Sequence, residues 1–201
     1  MKETEVMSAD DGPRPVLDFW FSAAAEPQWF FGGSDFDAEI HKRFARTLAQ
    51  AATGALDYWC EGGRRWEPPE GRLALVLVLD QFSRNIHRGR PAAFAWDPKA
   101  LGLARQGLRR GDDLWLKTHR PDSWRTFFYM PLMHSEDLED QRRCIDLLLT
   151  HGPEDGVAYA RAHHDIIARF GRFPHRNAVL NRRATPDEDV FLTREGSRFD
   201  S

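Results

Sequence analysis

With 201 residues, 28 Lys and Arg against 31 Asp and Glu, and a net charge of −3, the chain is long enough for one sizeable core. A chain of this length buries about 70% of its unfolded surface. The mildly acidic balance argues against a dedicated nucleic-acid binder, whose footprint is basic. Cys60 and Cys144 lie far apart and outside any CxxC or metal-type pattern, which fits free thiols in a reducing compartment.

Residues 1–13 read as a disordered tail, charged and nearly free of large apolar side chains, and residues 14–201 as one domain. The acidic start is unlike a secretory signal. Ser34-Asp35 opens a helix whose apolar residues Phe36, Ile40, Phe44, Leu48 and Ala51 step by three or four and end at Gly54. Leu73–Leu79 is too short to span a bilayer and has no second strong strand to pair with, so it reads as a buried helix between Pro68-Pro69-Glu70 and Gly89. Asp97-Pro98 looks like an N-cap followed by a first-turn proline, with Leu101, Ala104 and Leu108 forming a stripe that ends at Gly111. Ser135 is the expected cap of a helix carrying acids early and Arg142, Arg143 later, broken at Gly152-Pro153. From Pro153 to Phe170 a helix places Ala160, His163, Ile167 and Phe170 on one face and lets Asp165 and Arg169 pair on another. Thr185-Pro186-Asp187-Glu188 is a capping box opening a last short helix. Segments 22–33, 60–69 and 111–122 are expected as packed loops. The chain therefore reads as all-α, a single compact multi-helix domain.

Three helix breaks concentrate polar chemistry. The run Arg169–Asn177 packs three arginines, His175 and Asn177 around Gly171 and Pro174, and residues 161–183 hold six arginines against the single acid Asp165, a local balance of +5. Arginine suits bidentate recognition of carboxylate or phosphate, so Arg172, Arg176 and Asn177 are candidate anion ligands; the alternative is a basic loop that braces its neighbours. Arg84 and Asn85 follow the most apolar helix, where polar groups must find partners or a ligand; the alternative is an Asp80–Arg84 ion pair at i,i+4. His134 and Glu136, at the expected helix start, could bind an anion or work as acid and base, with His175 as a further proton carrier; the alternative is ordinary helix-end chemistry. His163 should point inward beside them. None of the eight histidines makes a metal motif, no nucleophile elbow or phosphate loop is present, and no cofactor or metal is expected.

Asp80-Gln81-Phe82 with Arg84-Asn85, Tyr129-Met130-Pro131 with His134-Ser135-Glu136, then Gln141, His163 and Phe170–Asn177 resemble, as an ordered set, the bacterial family known as domain of unknown function 924. The resemblance runs from about Val16 to Leu192. It implies an all-α fold of the tetratricopeptide-like superfamily and no particular activity. Ser83 stands where that family commonly has proline, letting the preceding helix run on, and Asn181 where glycine is usual, a change that left-handed geometry tolerates.

Two functional readings fit these motifs. In one, Arg84, Asn85, His134, Glu136, His163, Arg172, His175, Arg176 and Asn177 converge on a pocket for a small phosphate or carboxylate, with His and Glu available for proton transfer. In the other, the protein is a helical scaffold for a peptide or partner protein and the polar motifs lock helix ends together. Distinctive charged and amide groups in short breaks, where peptide grooves use apolar anchors, favour the first. Both fit a cytoplasmic protein that contacts neither membrane nor nucleic acid.

Overall fold

The apolar stripe from Phe36 to Ala51 forms α2 (Ser34–Thr53), one face of which is buried, and Gly54 ends it in the left-handed conformation. A computed structural model describes residues 12–152 and 154–193 and contains, besides α2, helices α1 (Arg14–Trp20), α3 (Pro68–Val76), α4 (Ser83–Ile86), α5 (Asp97–Arg110), α6 (Asp112–His119), α7 (Asp122–Met133), α8 (Leu138–His151), α9 (Glu154–Phe170) and α10 (Pro186–Leu192). Among the described residues there is no strand, so the chain is all-α. Residues 1–11 of the expected tail lie outside the described residues. Gly12 and Pro13 are buried, Gly12 against the Trp66 ring, so the packed chain begins before residue 14.

The continuous apolar run has no polar face because it needs none: every residue from Pro69 to Ser83 is buried. Between α3 and α4 the helix widens into a π-turn over Leu77–Phe82. One extra residue in a turn rotates the next turn about the axis, which carries Asp80 and Gln81 inward together with Phe82. Ser83 donates its N–H to the Val78 carbonyl and its hydroxyl to Ala93 O at 2.9 Å. A proline there would lack the first bond, so serine does let the helix continue. Around this rod, Trp20 packs edge-on against Phe82 and Phe127, with ring centroids 5.4 and 5.3 Å away, and Phe44 lies 4.7 Å from Phe82. α8 and α9 pack along each other, and a smaller apolar group of Ile166, Ile167 and Phe173 is completed by Phe170 and Phe191.

Several boundaries differ from the pattern-based expectation. Segment 111–122 holds α6, because Gly111 at φ +79° both ends α5 and turns the chain into a new helix start at Asp112-Asp113. Segments 22–33 and 60–67 are connectors with 3-10 turns at Glu26–Gln28 and Asp57–Glu61, anchored to the core by Ala25, Trp29 and Trp66, and Pro68-Pro69 already start α3. Pro131 sits inside α7, and Asp137, not Ser135, caps α8 by accepting from Glu139 N at 2.7 Å and Asp140 N at 3.3 Å. Asp97 is the first residue of α5, and the buried positions of that helix are Ala100, Ala104 and Gly107. In α9, His163 faces inward as expected, while Asp165 bonds His164 at 3.0 Å and Arg169 lies over the Phe170 ring. Pro153 lies outside the described residues. The Thr185–Glu188 capping box forms as expected, with both reciprocal bonds.

Candidate functional site

Five elements meet at one end of the buried rod: the π-turn with Asp80, α4 with Arg84, the C-terminus of α7 with His134, the inner face of α9 with His163, and the loop after α9 with Phe173, His175 and Arg176. The start of α5 contributes Asp97. Gly171, at φ +68°, takes a conformation that side chains rarely adopt, and so reverses the chain directly after Phe170.

Asp80, 1% exposed, is the fixed point. Its carboxylate receives Arg84 at 3.1 Å, Gln81 Nε2 at 2.6 Å and His134 Nδ1 at 2.8 and 2.9 Å. Burial alone would raise its pKa; Arg84 and His134 outweigh burial and hold it below the usual carboxylate range. An ionised carboxylate only accepts, so His134 presents Nδ1–H to it and keeps its lone pair on Nε2. Burial lowers the His134 pKa against the opposing pull of Asp80, and the charges of Arg84 and Arg176 lower it further. The His134 and His163 rings stand 6.2 Å apart, His163 stands 5.7 Å from Phe173, and Phe173 stands 5.5 Å from His175. Burial, with the neighbouring cations and imidazoles, pushes His163 down to about 3 and His175 to about 4, so all three rings are neutral at neutral pH.

The two arginines of this cluster are held differently. Arg84 makes a two-pronged pair with Asp97 at 3.0 Å on each prong and also donates to the Asp80 carbonyl at 2.6 Å. Arg176 is sandwiched between Phe94 and Phe173, its guanidinium carbon 4.7 and 4.6 Å from the two ring centroids, and reaches Asp97 at 3.3 Å. It is 7% exposed, and its buried Nε has no hydrogen-bond partner. Burial and the adjacent Arg84 pull its pKa down to about 10, a large displacement for a guanidinium.

Arg84, His134, His163, His175 and Arg176 thus come together, although Arg84, His134 and the pair His175-Arg176 lie tens of residues apart in the chain. Glu136 and Asn177 stand beside them, joined through Arg182: Glu136 takes Arg182 at 2.7 and 3.0 Å and the Phe173 N–H at 2.8 Å, and Asn177 Oδ1 takes Arg182 Nε at 3.0 Å. The expected His134–Glu136 acid–base pair therefore does not form, because Asp80 holds the imidazole and Arg182 the glutamate. His134 is the C-cap of α7, so the expected anion site at a helix start is also absent from it. Asn85 turns to α2 and donates to Asp37 at 2.8 Å, alongside Arg88. Arg172 pairs with Glu188 at 2.6 and 2.7 Å and donates to Arg183 O at 2.9 Å, anchoring α10 beside an open cleft of about 480 Å³. Asp97, Phe94 and Arg182 were not singled out by the sequence. Asp80 stands out there as an ion-pair partner and as part of the Asp80-Gln81-Phe82 motif, with no role at the cluster.

The model of a family of bacterial proteins of unknown function, DUF924, matches residues 16–196. The chain belongs to the DUF924 family. The solved structure of a protein of unknown function from Agrobacterium tumefaciens is similar, at 40% identity over 90% of this chain and 96% of that chain, with a TM-score of 0.79. No curated protein matches the chain. The DUF924 match spans every element of the cluster from Asp80 to Arg182, and these likenesses establish family and fold without specifying tetratricopeptide-like packing. Among the described residues, no helix is long and apolar enough to cross a membrane, and no group of three or more His, Cys, Asp or Glu side chains is arranged to hold a metal ion.

Proposed function

We propose that the Arg84–His134–Arg176 cluster binds a small anionic molecule of phosphate or carboxylate type. The observation that carries this reading is Arg176. A buried cation normally gathers enough hydrogen bonds and countercharge to offset its desolvation. Arg176 has one long bond to a carboxylate already committed to Arg84, a buried Nε without a hydrogen-bond partner, and a lowered pKa. The two aromatic faces fix its plane, which leaves the guanidinium preorganised for an acceptor-only group. A bound anion would supply the missing acceptor and countercharge at once. Arg172, fully engaged with Glu188, and Asn85, engaged with Asp37, are architectural in this reading.

The test is a thermal unfolding series with inorganic phosphate and with citrate. An anion at a hundred times its dissociation constant stabilises the native state by about 2.7 kcal/mol, a rise of roughly 5–10 °C for a domain of this size. The rise should vanish in Arg176→Met. A rise that survives in Arg176→Met and disappears in Arg172→Met would move the site to the α10 cleft, and no rise with any anion would favour the scaffold reading.

A further inference from the structure

We infer that the cluster selects oxyanions that carry a hydroxyl proton, such as monohydrogen phosphate or a 2-hydroxycarboxylate, over fully deprotonated ones such as sulfate. The inference rests on the anion-binding reading and concerns what else that anion must offer. His134 sets the requirement. Both Asp80 oxygens lie within hydrogen-bond reach of Nδ1, at 2.8 and 2.9 Å, and the carboxylate itself is fixed by Gln81 and by Arg84. This geometry pins the imidazole proton on Nδ1, so a neutral His134 can only accept at Nε2.

The groups that surround the ring reinforce that state. Asp80 and Arg84 face it from the buried rod, Arg176 and His175 bear on it from the loop after α9, and His163 stands beside it on α9. Asp80 favours a charged ring, while burial and the two arginines disfavour it, and the net balance keeps the pKa below the ordinary value. An anion held by Arg176 next to His134 therefore meets a lone pair. A P–OH or C–OH can donate to it. A sulfate oxygen has no proton, so two lone pairs would be pressed together and the partly buried Nε2 would lose the donor that water supplies to it in the free protein. Sites built on a buried hydrogen bond reject isosteres that lack the matching proton far more strongly than apolar pockets reject a missing methylene.

Inorganic phosphate and sulfate make the matched pair, since both are tetrahedral and at mildly alkaline pH both are dianions, but only phosphate keeps a proton. Calorimetric titration of the full chain at about pH 8 should give sulfate binding weaker than phosphate binding by roughly tenfold or more. As the pH falls through the folded-state pKa of His134, Nε2 gains a proton and becomes a donor, so sulfate affinity should rise and the gap should close. His134→Asn, which keeps an N–H for Asp80 and removes the Nε2 lone pair, should bind the two anions with similar affinity; should that variant fail to fold, the pH series on the unaltered protein still decides. Equal binding of both anions at alkaline pH, or tighter sulfate binding, overturns the inference and leaves the anion site standing. Binding of neither overturns the site as well.

Discussion

Arg84 and Arg176 share one carboxylate: Asp97 takes two hydrogen bonds of 3.0 Å from Arg84 and a single one of 3.3 Å from Arg176. The division is unequal, since Arg84 also has Asp80, and it sorts the two arginines by role. Removing Arg84 strips buried Asp80 and half-buried Asp97 of their main partner, and Arg84→Met should cost ~3–5 kcal/mol, as for other broken buried pairs. Arg176→Met keeps the volume between Phe94 and Phe173 and leaves Asp97 paired, so stability should change by less than about 1 kcal/mol or rise. Urea midpoints of the two variants check this; equal losses would make Arg176 as structural as Arg84.

The three neutral histidines set an acid limit. His163 and His175 titrate at about 3 and about 4 in the folded chain, below the ordinary histidine value, so the unfolded chain takes up protons first as pH falls. Their contribution is complete above about pH 6.5 and is lost progressively below it, at about 1.4 kcal/mol for each unit of separation. Asp80, held low in the folded state, adds a loss of its own below about pH 4. Urea midpoints should therefore fall between about pH 6.5 and about pH 4, and His163→Leu should flatten part of that slope. A midpoint that does not move over this range would mean that these rings are charged or solvated in the folded protein.

Much of the fold was legible because its signals are local. The stripe of α2, the Thr185–Glu188 box and the inward face of α9 at His163 need only neighbouring residues to specify them. The breaks were harder, since Pro131 stays inside α7 where packing outweighs a lost hydrogen bond, and α6 lies so close behind Gly111 that its start reads as a loop. In the cluster, the polar residues of the three motifs were visible, but their sorting was not. Arg176 meets Asp97 across 79 positions and His134 meets Asp80 across 54, and no spacing rule carries a pairing that far. Sequence therefore marked Arg172 and Arg176 alike, while tertiary contacts commit one to Glu188 and leave the other short of acceptors.

Two backbone positions test the packing that delivers the site. A Cβ on Gly71 would overlap the Trp59 carbonyl oxygen, a rigid group, so Gly71→Ala must shift the start of α3 and should cost at least about 1–3 kcal/mol. Asn181, at φ +53°, is the one non-glycine residue with positive φ among the described residues. Asn181→Gly should be neutral or slightly stabilising, and Asn181→Val should lose about 1–2 kcal/mol. Thermal midpoints distinguish these cases, and a Gly71→Ala protein as stable as its parent would contradict the close approach of α3 to Trp59.

The most direct test of the anion site is a crystal structure of the protein soaked in inorganic phosphate. One tetrahedral anion should accept from Arg176 Nε and lie against His134 Nε2, with the Arg84–Asp97 and Arg172–Glu188 pairs unchanged. An Arg176 guanidinium left without phosphate, or a phosphate found on Arg172 in place of Glu188, would contradict the anion site.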